Sequence, residues 1–268
     1  MKHTGFFQNH PVFTIEEFEQ HQAVRGGGGP RAREALLAYY KKTGRIVRVR
    51  RGLYAVVPTG AAPDSYPVDP FLVASKLTED AVLSYHTALE FHGWAYSVQE
   101  HFTYSASRPL RPFRFRFNLF RGVQFPKALT RLGKESFGVL AAEHAGMEVR
   151  VTSLERTLVD LLDRPDLSGG WEEIWRSLES IEFFDLDKVV EYAILLRNAT
   201  TAAKVGFFLD QHRESLMVED RQLKALQHLR PRQPHYLNRS RRESGRLVSE
   251  WNLVIPTEVL DRAWGDVL

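Results

Sequence analysis

One short stretch, RIVRVRRGLYAVVP at residues 45–58, constrains the fold more than any other part of the sequence. Apolar and charged residues alternate along it, which predicts a strand with Val47 and Val49 on one face. The opposite face is predicted to carry Ile46, Arg48 and Arg50. Gly52 supplies the positive φ that a tight turn often requires, and an apolar segment follows it. The stretch therefore predicts a β-hairpin with arginines near its tip.

A helix of about ten residues is predicted ahead of this hairpin, in the segment FTIEEFEQHQ. Thr14 and Glu17 are spaced as a capping box, in which each side chain bonds the backbone N–H of the other residue. Phe13 and Phe18 are spaced as the hydrophobic staple that often accompanies such a box. The glycine-rich run at 25–30 is predicted to end this part of the chain.

A second helix is predicted for PRAREALLAYYKKTG, where Pro30 suits the first turn and Gly44 the end. Helical periodicity predicts one apolar face and one solvent face. The apolar face is predicted to hold Ala32, Ala35, Leu36 and Tyr39. The solvent face is predicted to hold Arg31, Glu34, Ala38, Lys41 and Lys42. The predicted outer face is therefore basic, with a small residue at its middle.

Helix, break, basic helix and basic hairpin follow one another in the order of a winged helix-turn-helix, whose second helix enters the major groove of DNA. Arginine binds phosphate with two parallel hydrogen bonds, which gives the basic residues a physical role. The candidate DNA-binding residues are Arg31, Arg33, Lys41, Lys42, Arg45, Arg48, Arg50 and Arg51. The alternative is a solvated edge strand whose charges prevent aggregation.

The distribution of charge supports a polyanion partner. Residues 1–60 contain ten lysines and arginines against four glutamates, a net charge of +6. Residues 135–227 contain ten basic against eighteen acidic residues, a net charge of −8. One surface is thus expected to attract nucleic acid and another to avoid it.

The domain organisation is predicted from the proline-rich linker at residues 58–70. We expect a DNA-binding domain at 1–62 and a larger domain at 69–268. The fold class is α+β, because alternating strands follow the linker and helical periodicity dominates after residue 153. The chain lacks cysteine, a secretory signal and any apolar run of membrane-spanning length, which predicts a cytoplasmic protein without a membrane partner.

A second basic surface is predicted in RPFRFRFNLF, at residues 111–120. Alternation along a single strand would place Phe113, Phe115 and Phe117 on one face and Arg114, Arg116 and Asn118 on the other. The candidate residues of this surface are Arg111, Arg114, Arg116 and Arg121. A strand whose outer face is merely polar explains the pattern equally well.

Signals for catalysis are weak. His86 and His92 lie six residues apart and do not share a helical face, so with Glu90 they are better explained as packed or hydrogen-bonded polar residues than as metal ligands. Phosphate-binding glycine motifs and nucleophile-elbow motifs do not occur. We therefore assign no catalytic residue, no metal, no cofactor and no enzymatic activity.

Four segments in order resemble the AbiEi family of antitoxins from type IV toxin-antitoxin systems: RVRRGLYAVVP, LSYHTALEFHG, VTSLERTLVDLLDRPDLSGG and SEWNLVIP. The resemblance covers most of the chain. It implies an N-terminal winged helix-turn-helix and a larger α/β antitoxin domain. It also implies a repressor that binds inverted repeats in its own promoter, opposes a nucleotidyltransferase toxin, serves phage defence and needs no cofactor. Only two helices are predicted before the hairpin, which departs from a three-helix module.

Two other classes of function stay open at this point. A repressor that senses a small molecule through its C-terminal domain would release DNA when that ligand binds. A DNA-modifying enzyme would require a pocket with converging ionisable residues, and metal-dependent nuclease activity would reveal it.

Overall fold

The computed structural model describes residues 4–24, 29–237 and 245–264. These residues form twelve α-helices and three β-sheets, so the predicted α+β class is confirmed. The chain divides into two compact units. The first comprises residues 1–83, 100–122 and 141–150, and the second comprises 84–99, 123–140 and 151–268. The boundary predicted between residues 62 and 69 stays a prediction.

The N-terminal part of the first unit contains three helices and a three-stranded sheet. The elements are α1 (Thr4–Asn9), β1 (Val12–Thr14), α2 (Ile15–Val24), α3 (Pro30–Lys42), β2 (Ile46–Arg50) and β3 (Leu53–Val56). All strand pairs are antiparallel, and β3 lies between β1 and β2. Helix α1 and strand β1 were not predicted, so the expectation of two helices before the hairpin was one too few. The glycines at 26–28 lie outside the described residues.

The start of α2 was predicted correctly. The Thr14 N–H donates to Glu17 Oε2 at 2.8 Å, and the Glu17 N–H donates to Thr14 Oγ1 at 3.3 Å. The rings of Phe13 and Phe18 lie 5.7 Å apart and are fully buried. They belong to an aromatic cluster with Phe6, Phe7, Leu37 and Ile46. This cluster is the local core on which α2 and α3 pack.

The predicted apolar face of α3 was wrong in part: Leu36 packs against the aromatic cluster, but the other three residues do not. Ala32 and Ala35 are exposed and Tyr39 is 59% exposed, whereas Leu37 is buried and Tyr40 packs against the aromatic cluster. The helix is rotated relative to the prediction because Leu37 and Tyr40 remove more apolar surface from water than two alanines would.

The hairpin alternation was also partly wrong. Ile46 is 1% exposed, although it was placed on the arginine face, and Val49 is also buried. An irregularity in the pairing of β2 with β3 falls between Arg48 and Arg50. A bulge of this kind inserts one residue and reverses the facing of those beyond it. Ile46 and Val49 can therefore both reach the core.

A six-stranded sheet follows the linker, with strand order β6-β7-β5-β4-β9-β8. Its elements and their helices are α4 (Pro70–Ser75), β4 (Val82–Leu83), α5 (His86–Phe91), β5 (His101–Ala106), β6 (Phe113–Phe115), β7 (Asn118–Gln124), α6 (Lys127–Leu132), β8 (Val139–His144) and β9 (Met147–Thr152). The predicted single strand through residues 111–120 was wrong, because β6 ends at Phe115 and β7 returns antiparallel from Asn118. Arg116 adopts a φ of 56° in the intervening turn.

The second unit is mostly helical, as predicted, and ends in a small sheet that was not predicted. Its elements after residue 153 are α7 (Leu154–Asp163), α8 (Trp171–Glu179), α9 (Leu186–Leu195), α10 (Ala199–Gln211), α11 (Asp220–Gln227), β10 (His235–Tyr236), β11 (Gly245–Val248), β12 (Leu253–Pro256) and α12 (Thr257–Leu260). Ser153 caps α7 by accepting from the Arg156 N–H. Trp175 and Trp251 are fully buried at its centre. Within the described residues, no helix is both long and apolar enough to cross a membrane.

Candidate nucleic-acid interface

A groove in the first unit runs between α3 and the β2–β3 hairpin. Its lining includes three cationic side chains, Lys41, Arg48 and Arg51, and two acidic ones, Glu16 and Glu34. The remaining lining residues are Ile15, Leu37, Ala38, Gly52 and Tyr54. The groove thus brings together one basic residue from the helix and two from the hairpin.

The exposed face of α3 combines charge with small side chains. Arg31, Lys41 and Lys42 are exposed, and Ala35 and Ala38 lie exposed between them along the helix. Small residues allow another molecule to approach the helix backbone closely. Arg33 is less exposed than these cations, since its Nε lies 3.3 Å from the Glu19 carboxylate. Arg31 is therefore the freer of the two cations at the N-terminal end.

The hairpin holds its arginines in different environments. Arg48 and Arg51 are exposed, and the Arg48 Nε donates to the Arg50 carbonyl at 3.2 Å. Gly52 turns the chain with a φ of 81°, a value that side-chain-bearing residues rarely adopt. Arg45, which immediately precedes β2, is half-buried. Among these, Arg48 and Arg51 are best placed to meet a polyanion.

The Arg50 side chain packs against an aromatic ring of the same chain. Its guanidinium carbon lies 5.1 Å from the centroid of the Phe113 ring, within the range of a cation–π interaction. Phe113 belongs to β6, so this contact links the β2–β3 hairpin to the neighbouring β6–β7 hairpin of the same unit. Arg50 is half-buried there and has less freedom to reach phosphate than its neighbours.

The four residues of the predicted second basic surface are also divided by their environments. Arg111, Arg114 and Arg121 are exposed, whereas Arg116 is half-buried. The Arg116 guanidinium donates to the Pro63 carbonyl at 2.6 Å and lies 5.1 Å from the Phe115 ring. Arg116 therefore holds the turn in place, and the other three present their charges to solvent.

Of the two histidines of LSYHTALEFHG, His86 lies in a buried polar cluster of the second unit, whereas His92 is half-buried outside it. His86 is 2% exposed, and its Nε2 lies 3.0 Å from Glu173 Oε1. Ser97 donates to the same carboxylate from its N–H at 3.1 Å and from its hydroxyl at 2.6 Å. His92 bonds the Thr152 carbonyl at 2.8 Å. These contacts match the expectation of hydrogen-bonded polar residues.

Among the described residues, no three histidine, cysteine, aspartate or glutamate side chains are grouped so as to hold a metal ion. The His86 partner Glu173 was missed because the two residues are 87 positions apart, and no local pattern connects them.

The charge state of this cluster follows from its contacts. Burial acts to raise the pKa of Glu173, but hydrogen bonds from His86 and Ser97 outweigh it and hold the pKa at about 2. Burial acts to lower the pKa of His86, but the carboxylates of Glu173 and Glu90 outweigh it and raise the pKa. At pH values between the pKa of Glu173 and the pKa of His86, both side chains are therefore charged and form an ion pair. The contribution of this ion pair to stability depends on pH.

Replacing Glu173 by glutamine is expected to lower the free energy of unfolding by about 2–3 kcal/mol between roughly pH 5 and 6.5, because a buried imidazolium loses the nearer of its two counter-charges and keeps only Glu90 at 3.6 Å. The difference from the parent should shrink as pH falls from 4.5 towards 2, where the parent's Glu173 takes up a proton. It should also shrink above pH 6.5, as His86 loses its proton. Urea unfolding at several pH values measures both trends.

The matched control is Glu172→Gln, one residue earlier on α8, where the carboxylate is 47% exposed and pairs with Arg176. An exposed pair of this kind contributes at most about 1 kcal/mol. A Glu173→Gln effect that is equally small, or that does not change with pH, would contradict the buried ion pair.

The comparisons with known proteins concern the fold. No protein-family model and no curated protein matches the chain. Three chains among the solved structures do match. The structure of the RV2827C protein from Mycobacterium tuberculosis is similar with a TM-score of 0.61 over 97% of this chain and 92% of that one, at 16% identity. At this identity the similarity is one of fold alone.

Proposed function

We propose that the protein is a DNA-binding transcriptional repressor of the AbiEi antitoxin type, which binds double-stranded DNA through the groove between α3 and the β2–β3 hairpin. The main support for this proposal is that Lys41, Arg48 and Arg51 all line that groove. In this proposal α3 is the recognition helix of a winged helix-turn-helix, and the hairpin is its wing. Phosphate contacts from the wing position the duplex, while side chains of the helix read base edges.

The architecture of the N-terminal part supports this proposal. Three helices are followed by a hairpin, and β1 pairs with β3. With α1, three helices precede the hairpin, which agrees with the three-helix module of a winged helix-turn-helix. The net charge of +6 over residues 1–60 supports an anionic partner in the same part of the chain.

The antitoxin role is supported by the ordered motifs that resemble the AbiEi family. In this proposal the repressor acts in the cytoplasm without a cofactor, binds inverted repeats in its own promoter and opposes a nucleotidyltransferase toxin. Co-expression with the product of the neighbouring gene tests this part. Rescue of growth from a nucleotidyltransferase is the expected result, and a neighbour of unrelated activity would contradict it.

Arg31 is expected to read a base, because the N-terminal end of a recognition helix approaches base edges and this side chain is exposed there. Arg31→Ala should cost about 1–3 kcal/mol of binding free energy at one or two base pairs and relax the preference for them. Arg33→Ala should change sequence preference less, since Arg33 pairs with Glu19.

Selection from a randomised duplex library by the parent and both variants measures these preferences. The Arg33→Ala variant also serves as the control for removal of one positive charge from the same turn. Equal losses on preferred and random sequences for Arg31→Ala would contradict a role in base reading.

A further inference from the structure

We propose that the tip of the β6–β7 hairpin is a second contact for the same DNA duplex, with Phe117 against the sugar and base edges of the minor groove and with Arg114 and Arg121 on phosphates. This inference rests on the proposed function, and it adds a site on a different hairpin. It assigns a role to an aromatic side chain that the first groove does not use.

Phe117 is a large apolar side chain at a turn position where a small or polar residue is usual. It is 78% exposed, and it occupies the two-residue connection between Phe115 and Asn118, which are paired across the hairpin. Such turns favour glycine, asparagine or aspartate, because a side chain there strains the backbone. Here Arg116 adopts a positive φ of 56° at the position before Phe117.

The turn is held rigid by the side chains around it. The Arg116 guanidinium donates to the Pro63 carbonyl at 2.6 Å and lies over the Phe115 ring. Arg114 Nη1 donates to the Phe117 carbonyl at 3.3 Å, which brings a positive charge to the tip. A backbone that is ordered before binding loses less conformational entropy when it binds. The turn therefore presents the exposed Phe117 side chain from a fixed backbone position.

The exposed arginines of this hairpin lie on one face. Strand pairing places Arg114 opposite Leu119, and side chains two residues apart on a strand share a face, so Arg121 lies on the face of Leu119. Both arginines are exposed. Arg114 and Arg121 are thus diagonal neighbours, about 7–8 Å apart, so both can reach the phosphate backbone of one duplex.

The β2–β3 hairpin contacts the base of the β6–β7 hairpin. Arg50 lies 5.1 Å from the Phe113 ring, and Phe113 is two residue pairs away from the paired end at Phe115. At about 3.3 Å per residue, the paired end at Phe115 lies roughly 7 Å beyond this contact, and the tip lies farther still. In this proposal, a duplex bound at the first hairpin continues by a few base pairs to the second.

The chemistry of the tip fits a DNA backbone and its minor groove. Phosphate attracts guanidinium, and apolar wedges such as phenylalanine enter the minor groove between base steps. The two kinds of contact differ in how they affect the salt dependence of binding. Arginine releases a counterion when it neutralises a phosphate, whereas an apolar contact does not, so only the arginines affect the salt dependence of binding.

The test uses the full chain and a mixed-sequence duplex of about 30 base pairs, which is about three helical turns. Arg114→Ala combined with Arg121→Ala is expected to flatten the dependence of log K on log salt by about 1.8. Phe117→Ala is expected to weaken binding about 5- to 50-fold with an unchanged salt slope, because the apolar surface that the duplex would cover is lost. The matched controls are Lys224→Ala and Phe183→Ala, which remove an exposed cation and a 71% exposed phenylalanine from the second unit.

Each outcome decides one question. A parent protein that binds the duplex while both hairpin changes behave like their controls would overturn the second contact and leave the first groove intact. A parent protein that does not bind DNA would overturn the proposed function itself. Loss of affinity for Phe117→Ala together with a flatter slope for the double arginine variant would support the second contact.

Discussion

Replacing Arg156 by alanine is expected to lower the free energy of unfolding by about 3–5 kcal/mol at pH 7, because it leaves a buried polar cluster without its central cation. Arg156 is 1% exposed, and its Nη1 donates to the carbonyls of Glu135 at 2.7 Å and Phe137 at 2.6 Å. Its Nε lies 3.4 Å from Asp160 Oδ2, whose other oxygen accepts from the Tyr192 hydroxyl at 2.6 Å. The change therefore removes three hydrogen bonds and the contact of the guanidinium with the Tyr192 ring.

The size of the loss should depend on pH. Burial raises the pKa of Asp160 to about 6, although the Arg156 charge acts to lower it. Without Arg156 the pKa of Asp160 rises further, so the variant takes up a proton at higher pH than the parent and avoids a buried negative charge. The difference in stability between parent and variant should thus be smaller at about pH 5 than at pH 7.

Urea unfolding followed by circular dichroism measures both effects. Arg164→Ala is the control, because that arginine is 43% exposed and pairs with the exposed Asp166. Its replacement should lower the free energy of unfolding by less than about 1 kcal/mol. If Arg156→Ala fails to fold, Arg156→Lys retains the charge without the planar fork and should show a smaller loss. A fully stable Arg156→Ala variant would contradict the role of this cluster.

The sequence predicts features of the fold whose cause is local. The capping box of Thr14 and Glu17 and the contact of Phe13 with Phe18 depend on residues three to five positions apart, and both are present. Pro30 begins α3 and Gly44 takes a φ of 68° just beyond its end, because these residues restrict or free their own backbone.

The sequence does not predict features whose cause is distant. The orientation of α3 depends on which side chains meet the aromatic cluster, and of the adjacent Tyr39 and Tyr40 only Tyr40 packs against it. In the sequence, the alternation of phenylalanine and arginine runs through Arg116 and predicts one continuous strand, although the chain turns there. The turn is stabilised partly by the Pro63 carbonyl, which is 53 residues away.

In the candidate interface, too, the sequence predicts the local features and misses the contacts between distant residues. The basic helix and basic hairpin are evident as charge patterns, and the structure places Lys41, Arg48 and Arg51 on one groove. The distinct situations of Arg33 and Arg50 are not evident, since Glu19 and Phe113 become their neighbours only in three dimensions.

Removing the three groove cations is expected to have the largest effect on DNA binding. Each phosphate contact contributes about 0.9 to the slope of log K against log salt, so Lys41→Ala, Arg48→Ala and Arg51→Ala combined should flatten the slope by about 2.7. Between 50 and 200 mM salt, the parent should then lose roughly 40-fold more affinity than the variant. The fold should be retained, because all three side chains are exposed.

The decisive measurement is a salt titration of duplex binding by this triple variant beside the parent, with circular dichroism to confirm that both are folded. Lys224→Ala, in the acidic second unit, controls for the loss of positive charge in general. A slope flattened by two to three units, with weaker binding to all sequences, is the result that DNA binding in the α3 groove predicts. A folded triple variant whose slope and affinity equal those of the parent would contradict it.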